Sequence, residues 1–311
     1  MQRDKHSRTS VATGIFLATL LTLSIAALSM PPSNSQAQLN FCQLYGVLCP
    51  TTPPPPPPPP PSEEPPAEEP PAEEPSTTSH KFFLALFLQY VNRDAQTNIY
   101  QPNMDSGDFT RLRVQNGDQL KSDYVTAAKN LPGPAAVAFM SSQEIVENAK
   151  RVKDLGFTAI EFNLESGLSP SSDNNNVVAA MKKAADAAHA QGLKFRATPS
   201  RSYTTQYGAQ IAPYADYYHI QAQALQDNGI TAYRDYVRTQ VAKLEKANPD
   251  LIISVQVSTQ QGNAPGLSKL ETMKQCVDSV MDRVDGASVW FGGDDLNLLK
   301  SFVQWYNTKW S

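Results

Sequence analysis

Histidine and cysteine are scarce in this chain of 311 residues, which holds four of the first and three of the second. Three cysteines cannot supply the disulfide framework on which small exported folds depend. The histidines His6, His80, His189 and His219 show no His-x-His or His-Glu-x-x-His spacing, so the sequence carries no zinc-hydrolase motif. A Gly-rich turn after the first strand pattern, the mark of a dinucleotide-binding sheet, is also missing. No cofactor and no metal are therefore expected. A basic footprint is missing as well. Arg3, Lys5 and Arg8 outweigh Asp4 at the start, six glutamates crowd residues 63–74, and against the chain's net charge of −4 the remainder from 81 onward is neutral. A neutral domain offers nothing to a phosphate backbone, so no nucleic-acid partner is expected.

Proline, by contrast, is plentiful and concentrated. Residues 1–37 read as a signal peptide or signal anchor. A positive start is followed by an apolar run from Ile15 to Met30, and Ser35-Gln36-Ala37 fits a cleavage site before Gln38. The run is also nearly long enough to stay as an anchor, about 20 residues being needed to span a bilayer. Either outcome places the rest outside the cell, with membrane contact only through residues 13–30. Residues 38–50 carry Cys42 and Cys49 around a short loop, and an oxidising compartment favours their pairing, with two free thiols as the alternative. From 51 to 80 comes the stalk. Pro53 to Pro61 is unbroken, and Glu-Glu-Pro-Pro-Ala repeats at 63–67 and 68–72. Such a segment cannot bury a core, and it extends as polyproline II at about 3.1 Å per residue. A disordered spacer is the expectation, and a proline-rich ligand for a partner is the alternative.

Residues 81–311 are long enough for one large single-core domain. Strand patterns fall at Phe82–Tyr90, Ala135–Met140, Phe157–Leu164, Leu193–Thr198, Tyr217–Gln223, Leu251–Val257 and Ala287–Phe291. Helical patterns lie between most of them. Ser141-x-x-Glu144 and Ser268-x-x-Glu271 are capping boxes, the first opening a helix to Leu155 that stops at Gly156 and the second a helix to about Val284. Further patterns run from 174 to 191, from 231 to Asn248-Pro249, and over Leu296–Tyr306. Repeated βα units with short connections predict a parallel sheet with right-handed crossovers. The count suits an α/β fold of the TIM-barrel type, a (β/α) barrel of seven or eight units, with an open doubly wound sheet as the alternative. Residues 92–129 hold either an eighth strand near Arg111–Gln115 or a long loop.

Side chains alternate along a strand, and here the alternation is chemical. Ile160, Phe162 and Leu164 share one face of their strand, while Glu161, Asn163 and Glu165 share the other. Arg196 and Thr198 lie opposite Phe195 and Ala197. His219, Gln221 and Gln223 lie opposite Tyr218, Ile220 and Ala222. Ser254, Gln256 and Ser258 lie opposite Ile253, Val255 and Val257. The apolar face must meet the helices, so the polar face points into the barrel. An interior with no role but packing is filled by Val, Ile and Leu. Four consecutive polar strands therefore point to a ligand site, or else to a self-satisfied polar network.

Barrel active sites lie at the C-terminal ends of strands. Glu165 stands at such an end and is the first choice for a general acid or base. Glu161 lies deeper as its support, and Asp294 or Asp295 offers a second carboxylate. Candidate substrate-binding residues are Asn163, Arg196, Arg201, His219, Gln221, Gln223, Gln256 and Trp290. Arg201, Gln223, Ser258, Asp294 and Asp295 are placed on C-terminal loops or strand ends. Tyr203, Tyr207 and Trp290 could offer faces to sugar rings, although each could equally be ordinary packing. Cys276 reads as a small apolar residue on a helix.

The stretch Thr158-Ala-Ile-Glu161-Phe-Asn163-Leu-Glu165 resembles the Asp-x-x-Asp-x-Asp-x-Glu strand of chitinase-like, family eighteen glycoside hydrolases. The resemblance covers eight residues. It implies a barrel and puts Glu165 in the place of the general acid. Asn163 replaces the Asp that orients the substrate's acetamido group, Glu161 replaces another Asp, and Thr158 replaces the first. The run from Tyr218 to Gln223, with Ala247-Asn248-Pro249 and Ser254 to Val257 after it, looks like uncharacterised exported bacterial barrel proteins. Three functions are weighed. One is a glycoside hydrolase acting on a polysaccharide or cell-surface glycan. Another is a barrel that binds glycan or a surface partner without turnover. The third is a metal hydrolase on Glu161, Glu165 and His219, which only one imidazole would serve.

Overall fold

Short strands rich in β-branched and aromatic residues, each followed by an amphipathic helix, have one economical way to bury both apolar faces. The strands pair side by side and the helices cover them. In the computed structural model, which describes residues 81–86, 98–103, 109–113, 120, 122–131, 133–293 and 295–310, they do so. The segment read as a signal peptide or anchor, Cys42, Cys49, the segment read as a stalk, and Asp294 lie outside the described residues.

Eight strands pair in chain order, and the last closes on the first. They are β1 (Lys81–Leu86), β2 (Phe109–Arg113), β3 (Ala135–Phe139), β4 (Ala159–Phe162), β5 (Lys194–Ala197), β6 (Tyr217–Ile220), β7 (Ile252–Ser258) and β8 (Gly286–Trp290). Every pairing is parallel, and closure comes through Lys81 opposite Gly286 and Phe82 opposite Ala287. The helices are α1 (Ser122–Lys129), α2 (Ser142–Asp154), the single turn α3 (Ser171–Asn174), α4 (Val177–Ala190), α5 (Arg201–Ile211), α6 (Ile230–Ala247), α7 (Lys269–Asp278) and α8 (Leu296–Trp310).

The apolar strand faces meet these helices. Ile160, Phe162, Phe195, Tyr218, Ile220, Val255, Val257, Val289 and Phe291 are all buried, and each contributes about 1.5–3 kcal/mol by leaving water. Against them α6 sets Tyr233, Val237, Val241 and Leu244, a helical stripe whose Tyr233 hydroxyl also donates to the Gln256 carbonyl at 3.0 Å. Both capping serines act as expected. The Ser141 hydroxyl accepts from the Gln143 and Glu144 amides, and Ser268 accepts from Glu271. Gly156 and Gly192, where two helices were expected to stop, take φ of 83° and 67°, the left-handed turn that glycine adopts without penalty.

Three elements differ from the sequence reading. Of the two alternatives for residues 92–129 the strand is the one present, at Phe109–Arg113 and so two residues earlier than Arg111–Gln115, and it is followed by the unforeseen α1. The helix opened by Ser268 ends at Asp278 and gives way to turns. Most consequential is the unforeseen α5, which takes Arg201 from an expected loop or strand end into a helix that also carries Tyr203 and Tyr207. Its sequence Arg-Ser-Tyr-Thr-Thr-Gln-Tyr-Gly holds weak helix formers and no side-chain cap, so tertiary packing must hold it. Thr204, Gly208 and Ile211 are buried, and a Cβ added at Gly208 would stand 3.4 Å from Leu244 Cδ2. That bare backbone lets α5 lie close against α6.

Candidate functional site

β4 and the three residues that follow it carry three acidic or amide side chains on one face, and the barrel treats each differently by depth. Glu161 is completely buried, with its Cα opposite Arg196 on β5. The Arg196 Nε lies 3.6 Å from Glu161 Oε2, and both side chains are almost wholly removed from solvent. A buried carboxylate needs such a cation to stay charged. Glu161 and Arg196 are thus an ion pair below the mouth, and neither stands at the surface where substrate would arrive. His219 is likewise interior. Its Nδ1 lies 2.7 Å from Ser254 Oγ and its Nε2 2.9 Å from Ser288 Oγ, so two serines on β7 and β8 hold both ring nitrogens.

One layer higher the side chains meet in a row. Asn163 Nδ2 donates to Glu165 Oε1 at 2.6 Å, Gln221 Nε2 donates to Asn163 Oδ1 at 3.1 Å, and Gln223 Nε2 donates to Gln221 Oε1 at 3.4 Å. Gln221 Nε2 also reaches the Thr198 carbonyl at 3.3 Å. Glu165 is half-buried at the end of this row. Its Oε1 is engaged, and no bond is made by Oε2 among the described residues.

The backbone of Glu165 is also fixed. Its amide donates to Ser169 Oγ at 3.0 Å, and its carbonyl accepts from the Leu168 and Ser169 amides. Gly167, with φ of 81°, makes that turn. Asn174 Nδ2 then holds the Ser169 carbonyl at 2.7 Å, and the Tyr203 hydroxyl holds Asn174 Oδ1 at 2.9 Å. On the other flank the buried Asp173 carboxylate accepts from the Ser142 amide and hydroxyl, both at 2.8 Å. The loop after β4 is therefore tied to the starts of both neighbouring helices. Tyr203 serves it as a strut, through its hydroxyl.

Across the mouth, the half-buried Trp290 ends β8 and donates from its indole to Gln260 Oε1 at 2.8 Å. Gln260 lies so close over Gly292 that any Cβ there would collide with it. The Gln260 amide is held in turn by Ser258 Oγ at 3.0 Å.

Of the remaining sequence candidates, Arg201 and Asp295 sit apart from this row. Arg201 is the exposed first residue of α5. Asp295 caps α8, its carboxylate accepting from the Leu298 amide at 2.9 Å, so it serves a helix end. Gln256 is interior on β7. Among the described residues no group of three His, Cys, Asp or Glu side chains is placed to hold a metal ion, and no helix is long and apolar enough to cross a membrane. Ser169, Asn174 and Gln260 were absent from the sequence candidates. Short polar residues a few positions beyond a strand-end acid or a strand-end serine are the only signal that could have named them.

No family model matches the chain, and no curated protein does. Solved structures do resemble it. The endo-beta-N-acetylglucosaminidase of Cordyceps militaris matches at 11% identity over 72% of this chain and 90% of that one, with a TM-score of 0.45. A chitinase from Chromobacterium violaceum ATCC 12472 matches at 14% identity over 73% and 98%, with a TM-score of 0.45. A glucosidase from Croceicoccus marinus matches at 12% identity over 71% and 61%, with a TM-score of 0.48. Likenesses this remote concern the curled α/β fold and leave the chemistry to be argued from the site.

Proposed function

We propose that this chain is an extracellular carbohydrate-active barrel that hydrolyses glycosidic bonds with Glu165 as general acid/base. The observation that carries the reading is the setting of Glu165. It stands at the C-terminal end of β4 with Oε1 held by Asn163, its backbone clamped by Ser169, and Oε2 left to meet substrate. Around it the mouth is lined by amides and hydroxyls, the groups that recognise a polyhydroxylated ligand. Placement outside the cell follows from the N-terminal export pattern and the stalk.

Hydrolysis normally uses two carboxylates, and substrate-assisted enzymes replace the second with a group on the sugar. Among the described carboxylate candidates, Glu161 is committed to Arg196 and Asp295 to a helix end. An N-acetylated glycan, which brings its own acetamido oxygen, is therefore the first substrate to offer. The same commitments favour a second reading, in which the mouth holds glycan without turning it over.

The test is product release from chitin-type and cell-wall glycans by the full chain and by Glu165→Gln. Hydrolysis by the wild type with a loss of about 100-fold or more in the variant, the scale of a general acid, is the expected result. Retention of a glycan by both proteins without product would leave the binding reading and sink the catalytic one.

A further inference from the structure

The row of amides that ends on Glu165 has a direction. An ionised carboxylate can only accept, so Asn163 must turn Nδ2 toward it and Oδ1 away. Gln221 must then donate to that Oδ1, which leaves its own Oε1 to accept from Gln223 Nε2. The direction arrives at Gln223 Oε1, which is buried and has no donor. Of the other buried oxygens in this condition, which include Tyr100 Oη, Asp278 Oδ1 and Asn307 Oδ1, two lie on neighbouring strand units. Thr198 Oγ1, on a residue 1% exposed just past β5, makes no hydrogen bond, and neither does Gln256 Oε1, on a β7 residue 2% exposed. All three belong to the consecutive units β5, β6 and β7, and both Thr198 and Gln256 lie on the inward face of their strands. Buried oxygens without donors are rare, because each one forfeits its hydration for nothing.

We propose that the β5–β7 side of the mouth is a subsite for the hydroxyl groups of a polyhydroxylated ligand, with Thr198 Oγ1, Gln223 Oε1 and Gln256 Oε1 as the accepting atoms. The proposal rests on the carbohydrate reading of this mouth and adds where the sugar donors go. A sugar presents several hydroxyl donors at close spacing, which is what a group of acceptors requires. The arrangement also links ligand to chemistry, since a hydroxyl donated to Gln223 fixes the direction of the row and keeps Glu165 Oε1 as an acceptor.

The test uses the full chain in a Glu165→Gln background, so that the probes survive, with Thr198→Val and Gln256→Leu added separately. Thr198→Val keeps the shape of the side chain and serves if Gln256→Leu fails to fold. Melting temperature is read without ligand, and affinity is read by calorimetry with chitotetraose and cellotetraose. The expected result is that each variant melts at or above its parent and binds the better probe at least about tenfold more weakly. A fall of several degrees in both variants would show that structural water satisfies these oxygens, and would overturn the proposal whatever binds. Unchanged melting with unchanged affinity would also overturn it, while leaving the carbohydrate reading in place. A parent that binds neither tetrasaccharide would count against the carbohydrate reading itself, and the subsite would fall with it.

Discussion

The two ends of the barrel treat polar groups in opposite ways. At the N-terminal ends of the strands, Asp216 precedes β6 and accepts from Lys194 Nζ at 2.7 Å, the Phe195 amide at 2.8 Å and His189 Nε2 at 2.8 Å. Asp285 precedes β8 in the same manner and accepts from the Ile253 amide at 2.7 Å. Each aspartate pins the second residue of the strand beside it, and Asp216 leaves neither oxygen idle. At the C-terminal ends, Thr198, Gln223 and Gln256 each keep a buried oxygen with no donor. A fold gains stability from the first arrangement and loses it in the second. On the reading proposed above, the difference separates an end that holds the barrel from an end that meets a ligand, as barrels in general divide stability from activity.

The sharpest way to break that division lies between the ends, at the buried pair. Arg196→Met removes a cation beside Glu161 in a site closed to water. Uncompensated buried charge of this kind costs about 3–5 kcal/mol, and chemical denaturation should show the midpoint falling accordingly. A stability equal to wild type would mean that the pair belongs functionally to the mouth.

Asp216→Asn comes next. Burial works to raise this carboxyl, but the bonds from Lys194, the Phe195 amide and His189 outweigh it and hold it below the ordinary carboxylate value. A group lowered on folding stabilises fully above the ordinary carboxylate range and loses that contribution as pH falls through its lowered value. At neutral pH the variant should lose about 2 kcal/mol, the scale of hydrogen bonds to a charged group. Melting curves recorded from pH 7 to pH 2 should show the two proteins converging at the acid end. A gap that widened on acidification would refute the sign.

The smallest effect is expected at Cys276, which is fully buried in the helical layer and whose thiol burial pushes up to about 12. A thiol reagent applied to the native protein and read by peptide mapping should leave Cys276 unlabelled until denaturant is added. Labelling under native conditions would mean that α7 opens.

Much of the fold was legible because its causes are local. Gly156 and Gly192 end helices by their own backbone freedom, and Ser141 and Ser268 cap helices through their own hydroxyls. Strand alternation predicts an inward polar face, and in the structure Glu161, Asn163, Arg196, Thr198, His219, Ser254 and Gln256 are all buried. What could not be read was partnership. Position along the strand puts Glu161 deeper than Glu165, but only the register opposite Arg196 gives it a partner and takes it out of the chemistry. Asp295 stands just before the helix expected at Leu296, and its capping bond to the Leu298 amide removes it from the mouth. The α5 helix was hidden because its cause is Gly208 meeting Leu244, a contact made 36 positions away in the chain.

The most direct test crosses the two ends. Turnover of a cleaved glycan and melting temperature would be measured together for the full chain, Glu165→Gln and Asp216→Asn. The account predicts that Glu165→Gln loses about 100-fold in turnover while melting with the wild type, and that Asp216→Asn melts lower while its folded fraction turns over normally. A Glu165→Gln protein that melted as low as Asp216→Asn and kept its turnover would contradict it.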